Sequence, residues 1–534
     1  VSGVDQVNQD ERRLRGMISG QHSQQVTETL MVRGQASFVS DRQYLQQLSN
    51  SGTQRASPSG ESTLLATQRL PYGSAYFLGQ YLQPLNSGGP DTFQRLPEVG
   101  YVLPNTSPFG MPLLLNLDTN FVNFYREQGF AVNRMDFMPG VTTDVMDVGH
   151  VIGLTPHFKF KEVYYTRGIQ EASPLHRETF WAAMDATSKL SRRYTGGEGG
   201  SFLHTIEPSV MYEYVPGSDQ SKIAQIDQID DIPKKNLLTY SLRTKLLEQK
   251  VNGQSFNWLD LTVAQSYHVG AVQTRAREFT PGVLPFLGTL TQPLQPATVD
   301  VQGRKMSDVW LRAVIGNTAP EFLRPPGQTE ALGKNITAGQ ILPPMNSYLT
   351  VDAFVDPYRG TFSQWNTDLR VQQSNYWYFE VGQRFSHDGN RVRRGDIWNP
   401  ISFNEVYAPT KEIQFATLGG GFRTPWGWTI GAKGYYDVKG GRSPEYDVVA
   451  LYQNPCKCWS LGLYYLQFPD RQSYSFMLSM TGIGWTENFG TIVAKTILGP
   501  LLVGDRGLPW AAPGGPYGRV TNPLPLQSMP MGRY

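Results

Sequence analysis

Cysteine is almost absent from this chain. Its 534 residues contain two, both in the run Pro455-Cys456-Lys457-Cys458-Trp459, which excludes a disulfide-stapled scaffold. Charge is scarce too. Asp, Glu, Lys and Arg make up 17% of the residues, little for a soluble surface of this size. The 47 basic and 45 acidic residues nearly cancel. With no polybasic run, nucleic acid is not an expected partner. No stretch approaches the ~20 apolar residues that a membrane helix needs. Nucleophile-elbow, zinc-protease and P-loop motifs are missing. Neither an enzyme nor a cofactor is expected. Two thiols and seven histidines offer too few neighbouring ligands for a metal site at the cysteines.

What is abundant is aromatic and small. There are 27 Tyr, 26 Phe, 11 Trp and 54 Gly, and period-two alternation runs almost from end to end. From Trp428, one face reads Trp428, Ile430, Ala432, Gly434, Tyr436; the other reads Thr429, Gly431, Lys433, Tyr435, Asp437. Tyr240, Leu242 and Leu246 oppose Ser241, Arg243 and Lys245, and Leu14 and Ile18 oppose Arg13, Arg15 and Ser19. A soluble sandwich alternates as well. The discriminator is that Trp377, Trp428 and Trp459 stand at strand ends, where a membrane barrel carries its aromatic girdles. The expected fold is all-β: a large antiparallel transmembrane β-barrel with long outer loops.

The pattern yields about 20–24 candidate strands, and at about 20 residues per strand and connection the length suits ~26. Pro, Asp, Asn and Gly clusters mark long loops at 216–236, 269–306, 319–345 and 387–410. Residues 1–10 read as a lead-in, 11–484 as the barrel, and 485–534 as a Pro/Gly-rich extension, an extended tail beyond Gly499. The chain opens on Val1-Ser2-Gly3 with no signal peptide, as expected of a processed or truncated exported protein.

Several groups invite a chemical reading. His204 and Glu207 lie three apart, so on a strand they face opposite sides and make no catalytic pair. The acidic run from Asp227 to Asp231 reads as a solvated loop, with a divalent-cation site as the other reading. Arg13, Arg15, Arg243, Lys245, Arg370, Arg384 and Lys433 fall on rows that would face the lumen. Such rows could attract phosphorylated sugars, although any wide barrel has a polar interior. Cys456 and Cys458 share the parity of Ser460 and Gly462, the inward row, near a turn at Asn454-Pro455. Their thiols could be reduced, joined to each other, or joined to something outside this chain. On an extended strand their Cα atoms would lie about 6.5–7 Å apart, at the edge of disulfide geometry, which disfavours the local bond.

A set of short motifs, in order along the chain, resembles one family. They are Ser40-Asp41-Arg42 with Tyr44-Leu45, Arg95-Leu96-Pro97-Glu98, and Asn123-Phe124-Tyr125-Arg126-Glu127 with Gly129, Arg134 and Pro139. His204-Thr205-Ile206-Glu207-Pro208 follows, with Tyr212, Tyr214, Val215-Pro216, Asp219-Gln220, Asp227, Asp230, Asn236 and Tyr240-Ser241-Leu242. Cys456 to Trp459 and Thr481-Gly482-Ile483-Gly484 close the set. Over about residues 11–498 this is similar to the LPS-assembly outer-membrane protein family (LptD). Two departures stand out. The family's N-terminal periplasmic domain is not in this chain, and Lys457 separates cysteines that are commonly adjacent there.

The resemblance implies an outer-membrane protein of a Gram-negative bacterium that inserts lipopolysaccharide into the outer leaflet. Sugars would cross the lumen and acyl chains would leave through a lateral seam. A closed barrel has no free edge, so the seam is expected where the first strand (about 11–23) meets the last (about 472–484), at Leu14, Gly16, Ile18 and Gly20 against Phe476, Leu478 and Met480. Both barrel ends are expected to face the periplasm. Implied partners are lipopolysaccharide, outer-membrane lipids, a lumenal plug lipoprotein, and the periplasmic transport bridge, reached through the N-terminal domain. Cys456 and Cys458 are implied to form disulfides to that domain. A solute channel or receptor-type barrel is the alternative; it would carry a plug or constriction within the chain. A soluble all-β binding protein, without aromatic girdles, is another.

Overall fold

In the computed structural model, residues 15–45, 59–85, 93–107, 110, 112–126, 131–169, 172–195, 200–224, 226–227, 229–230, 232, 234–250, 255–270, 305–318, 345–373, 376–386, 413–456, 458–467, 472–480 and 497–502 are described. They form one 23-stranded sheet. The first strands are β1 (Met17–Gln25), β2 (Leu30–Val39), β3 (Ser59–Arg69), β4 (Ser74–Pro84), β5 (Gln94–Thr106), β6 (Leu113–Tyr125), β7 (Val132–Thr143) and β8 (Met146–Val148). Then come β9 (Ile152–Tyr165), β10 (Leu175–Thr187), β11 (Leu190–Thr195), β12 (Ser201–Val215), β13 (Lys235–Gln249), β14 (Ser255–His268), β15 (Val309–Thr318) and β16 (Met345–Asp356). The last are β17 (Thr361–Gln373), β18 (Trp377–Ser386), β19 (Ile413–Arg423), β20 (Trp428–Asp437), β21 (Arg442–Gln453), β22 (Trp459–Gln467) and β23 (Gln472–Met480).

Every ladder is antiparallel and joins neighbours along the chain. Short β8 continues the line of β7 against β9, and β11 continues β10 against β12. The fold is thus an up-and-down meander of the barrel type.

The wall inverts the rule for soluble proteins, in which charge is outside. On β7, Arg134 and Asp136 are each 1% exposed while Met135 is 55% and Phe137 46% exposed. The same alternation sets buried Thr429 and Lys433 against outward Ala432, and buried Glu380 against exposed Phe379 and Val381. Only an apolar solvent outside and polar contents inside favour such a strand.

The aromatic belts lie at both ends of the wall. Trp377, Trp428 and Trp459 each open a strand at one end, with Tyr452 stacked between Trp428 and Trp459 at 5.2 and 5.3 Å. At the other end, Tyr465 packs against Tyr446 at 5.8 Å and Tyr474 at 4.9 Å. No described helix is long and apolar enough to cross a membrane.

The tryptophan end carries mostly short turns, such as 70–73, 250–254 and 424–427; the opposite end carries 40–58, 216–234, 269–308 and 387–412. One expectation needs correction. The connection 319–344 leaves from the turn end, because β15 runs toward it, so it is not one of the outer loops. Among the described residues, leaving aside β8 and β11, twenty-one strands cross the wall, so β1 and β23 run in the same direction.

Candidate functional site

The motif residues scattered along the chain converge at the loop end of the inner face. Loop 216–234 folds inward, and its Asp227 accepts hydrogen bonds from both terminal guanidinium nitrogens of Arg134, at 2.7 and 2.9 Å, and from Arg95 at 2.8 Å. Arg95 also pairs with Glu98 at 2.9 Å, and Glu98 accepts from the Tyr76 hydroxyl. Asp230 accepts from Arg134 and from Tyr165, each at 2.8 Å. Arg177 donates to the backbone carbonyls of Ile229 and Asp230 and to Gln220.

Each strand contributes its residue near the loop rim: Arg95 from β5, Arg134 from β7, Tyr165 from β9, Arg177 from β10. Phe124 lies under both arginines, 4.8 Å from Arg134 and 5.4 Å from Arg95. Ile223 and Ile226 of the loop pack with Val122, Phe124, Val132, Val163 and Tyr165. Burial alone would raise the Asp227 carboxyl, but the guanidiniums of Arg134 and Arg95 hold it well below the ordinary carboxylate range. At Asp227 and Asp230 the run is therefore neither solvated nor a cation site, and Asp231 lies outside the described residues. Arginine occupies both carboxylates, which are 7% and 0% exposed.

A second inward element lies across the wall. Residues 497–502 form a short helical turn, in which Ile497, Leu498, Leu501 and Leu502 are at most 1% exposed. They pack on Tyr378, Val449, Leu451, Tyr464 and Leu466 of β18, β21 and β22. Gln372 and Tyr378 donate to the carbonyls of Pro500 and Ile497. A Cβ on Gly431 would come within 2.7 Å of Ile497, so glycine is required there for the approach. These residues are not part of an extended tail. Proline and glycine composition hid a four-residue apolar face that the inner wall covers.

Cys456 and Cys458 lie at the turn end, as read from the sequence, and are exposed. They are bonded to each other, with Cα atoms 5.3 Å apart. The premise that disfavoured this bond fails because the backbone turns here. Asn454 donates to the Trp459 carbonyl and accepts from the Cys456 N–H, which shortens the span below that of a strand.

Arg13 lies outside the described residues. The other six basic residues on the inner rows each face a carboxylate. Arg15 pairs with Asp41 at 2.7 Å, Arg243 with Asp260 at 2.6 Å, Lys245 with Glu207 at 3.3 Å and Arg384 with Asp368 at 2.8 Å. Arg370 and Lys433 share Glu380. The inner face is charge-compensated. A cavity of about 840 Å³ opens on it, lined in part by Lys189, Glu207, Arg243, Asp260, Trp310 and Arg312. His204 bonds Thr244 while Glu207 turns to Lys245, so they do not form a pair.

Among the described residues, β1 pairs only with β2, and β23 only with β22. Ile18 and Phe476 are each 78% exposed and Leu478 54%. Gly20 is in β1, and Gly16 precedes it, held to Ser40; an added Cβ on either would meet nothing. Leu14 and the Met480 side chain lie outside the described residues.

An antiparallel wall, apolar outside and charged within, belted by aromatics at both ends, defines an outer-membrane-type β-barrel. The family model of LPS transport system D (LptD) matches residues 13–389, and the chain belongs to that family. The LPS-assembly protein LptD of Nitrosospira multiformis is 22% identical over 274 residues, which cover 46% of this chain and 28% of that protein; the chain thus matches under a third of that relative's length. Among solved structures, the copper transporter OprC has a TM-score of 0.30 and 11% identity, covering 86% of this chain and 67% of that one. The ferric-catecholate import receptor Fiu of E. coli K12 has 0.25 and 8%, covering 85% and 67%. Likenesses this weak carry no argument.

Proposed function

We propose that this protein inserts lipopolysaccharide into the outer leaflet of a Gram-negative outer membrane. Family membership supports the cargo, and the one observation that carries the route is that β1 and β23 are each paired on one side only among the described residues. Sugars travel along the hydrated inner face while acyl chains leave between Ile18 and Gly20 on one side and Phe476 and Leu478 on the other. Leu14, Gly16 and Met480 extend this seam.

The turn end faces the periplasm in this reading, and the disulfide there is the attachment point for an N-terminal periplasmic domain. A thiolate from that domain attacks one sulfur of the Cys456–Cys458 bond, forms a mixed disulfide and releases the other cysteine as thiolate. Through that domain the barrel meets the transport bridge. A lumenal lipoprotein is the further partner.

A photo-crosslinking residue at Ile18 or Phe476 tests the route. Adducts with lipopolysaccharide at these positions, and none at outward Leu242, are expected. Equal labelling at all three, or none at the seam, would refute it. The inward segment 497–502 favours a second reading, a solute channel with its own constriction. That reading expects no lipopolysaccharide adduct at any position.

A further inference from the structure

We infer that residues 497–502 are a built-in stopper of the lumen, seated on an apolar patch of the inner wall and removable from it. Many inner-row residues are polar or charged, as at Asp352, Asn366, Glu380 and Lys433. Between β18 and β22 the wall turns apolar where this segment lies: Val449, Leu451 and Leu466 are each 0% exposed beneath it. An apolar patch facing an aqueous lumen would be costly if bare, so the patch is built for a cover.

The wall is shaped for this cover as well. Gly421 and Gly431 lie on adjacent strands, paired residue to residue. A Cβ at Gly421 would lie 3.1 Å from Leu501; one at Gly431 would lie 2.7 Å from Ile497 and 2.8 Å from Leu498. The polar contacts are few. Side chains of Gln372 and Tyr378 hold two carbonyls, and no ion pair fastens the segment among the described residues. Attachment by apolar contact and two hydrogen bonds suits an element that leaves when a larger apolar occupant takes the patch. By contrast, loop 216–234 at the opposite rim is locked by buried arginines. The lumen thus has one fixed obstruction and one releasable obstruction. This inference concerns passage through the lumen and does not depend on the cargo.

The test uses the full-length protein in planar lipid bilayers. Wild type is expected to be silent. Leu498→Asp/Leu501→Asp and, separately, Gly431→Leu, which changes the wall and leaves the segment intact, are expected to give ion-conducting steps that wild type lacks. Heat-modifiable migration in gels verifies that each variant is folded. Folded variants as silent as wild type, or a wild type that conducts as they do, would overturn the inference. Should the variants not fold, a milder probe decides. Leu498→Cys in a Cys456→Ser/Cys458→Ser background is expected to resist a water-soluble maleimide, and prompt labelling of the folded protein would show that the patch is uncovered.

Discussion

Arg134 and Asp227 meet as a bidentate pair, although 93 residues separate them. The arginine comes from β7 and the aspartate from the loop after β12, three ladders further along the sheet. The loop therefore crosses the inner face to reach its partner, and the pair fastens it there.

Removing one partner leaves a buried charge without its counterion, at a cost of about 3–5 kcal/mol. Asp227→Ala is expected to free loop 216–234 without dismantling the wall. Trypsin should then cut after Lys222 and Lys234, where the wild type resists. Unchanged resistance would mean that the loop is held by its isoleucines alone.

The same pair sets an acid limit. Asp227 is held below its ordinary value by Arg134 and Arg95, and Asp41 is lowered chiefly by its hydrogen bond from Arg15. A carboxyl whose folded pKa lies below the unfolded value of ~3.9 stabilises the fold above that value and loses this contribution as the pH falls through the folded value. Hydrogen exchange in 218–232 is expected to be level from pH 7 to about 4 and to rise only below it. A rise already between pH 7 and 5 would point to some other group.

The outward face gives a test of its solvent. Val381 is 41% exposed near the middle of β18. In a membrane wall, Val381→Arg costs about 2–4 kcal/mol; on a wet surface it would be within about 0.5 kcal/mol of neutral. Urea titration of the protein folded into lipid vesicles separates the two.

Ion pairs of the inner face are expected to differ in weight. Arg243 is 44% exposed beside Asp260, so Arg243→Ala should change stability by no more than about 1 kcal/mol. Arg370→Ala strands the buried Glu380 with Lys433 alone and should cost about 3 kcal/mol. Midpoints of heat-modifiable gel migration would rank them, and equal midpoints would contradict the burial argument.

Attachment through the turn-end cysteines predicts that protein from native membranes migrates, unreduced, with a covalent partner that dithiothreitol releases. Cys456→Ser/Cys458→Ser should abolish the partner and keep the barrel. A native chain whose cysteines are joined only to each other would remove the attachment and leave the local bond.

The wall was legible in the sequence because a strand alternates with period two. Thr429, Gly431 and Lys433 against Trp428, Ile430 and Ala432 announce their faces without reference to any neighbour. The loop was not legible. Asp227 and Asp230 read the same in water or under arginine, and nothing local to them names Arg95 or Arg134. The resemblance had nonetheless picked out all four residues. The cysteines misled for a related reason: strand geometry was carried two residues too far into a turn. The relative directions of β1 and β23 depend on counting every strand between them, which no local pattern supplies.

By itself, then, the sequence determined which residues face lipid and which face the lumen, where the belts lie, and that the strands run up and down, since all of these follow from neighbours along the chain. Only the tertiary structure decided what fills the interior. Arg134 meeting Asp227, and Leu501 meeting Gly421, join segments 93 and 80 positions apart, and no local pattern specifies contact over such distances: the curvature of the wall and the covering of its apolar patch set them together.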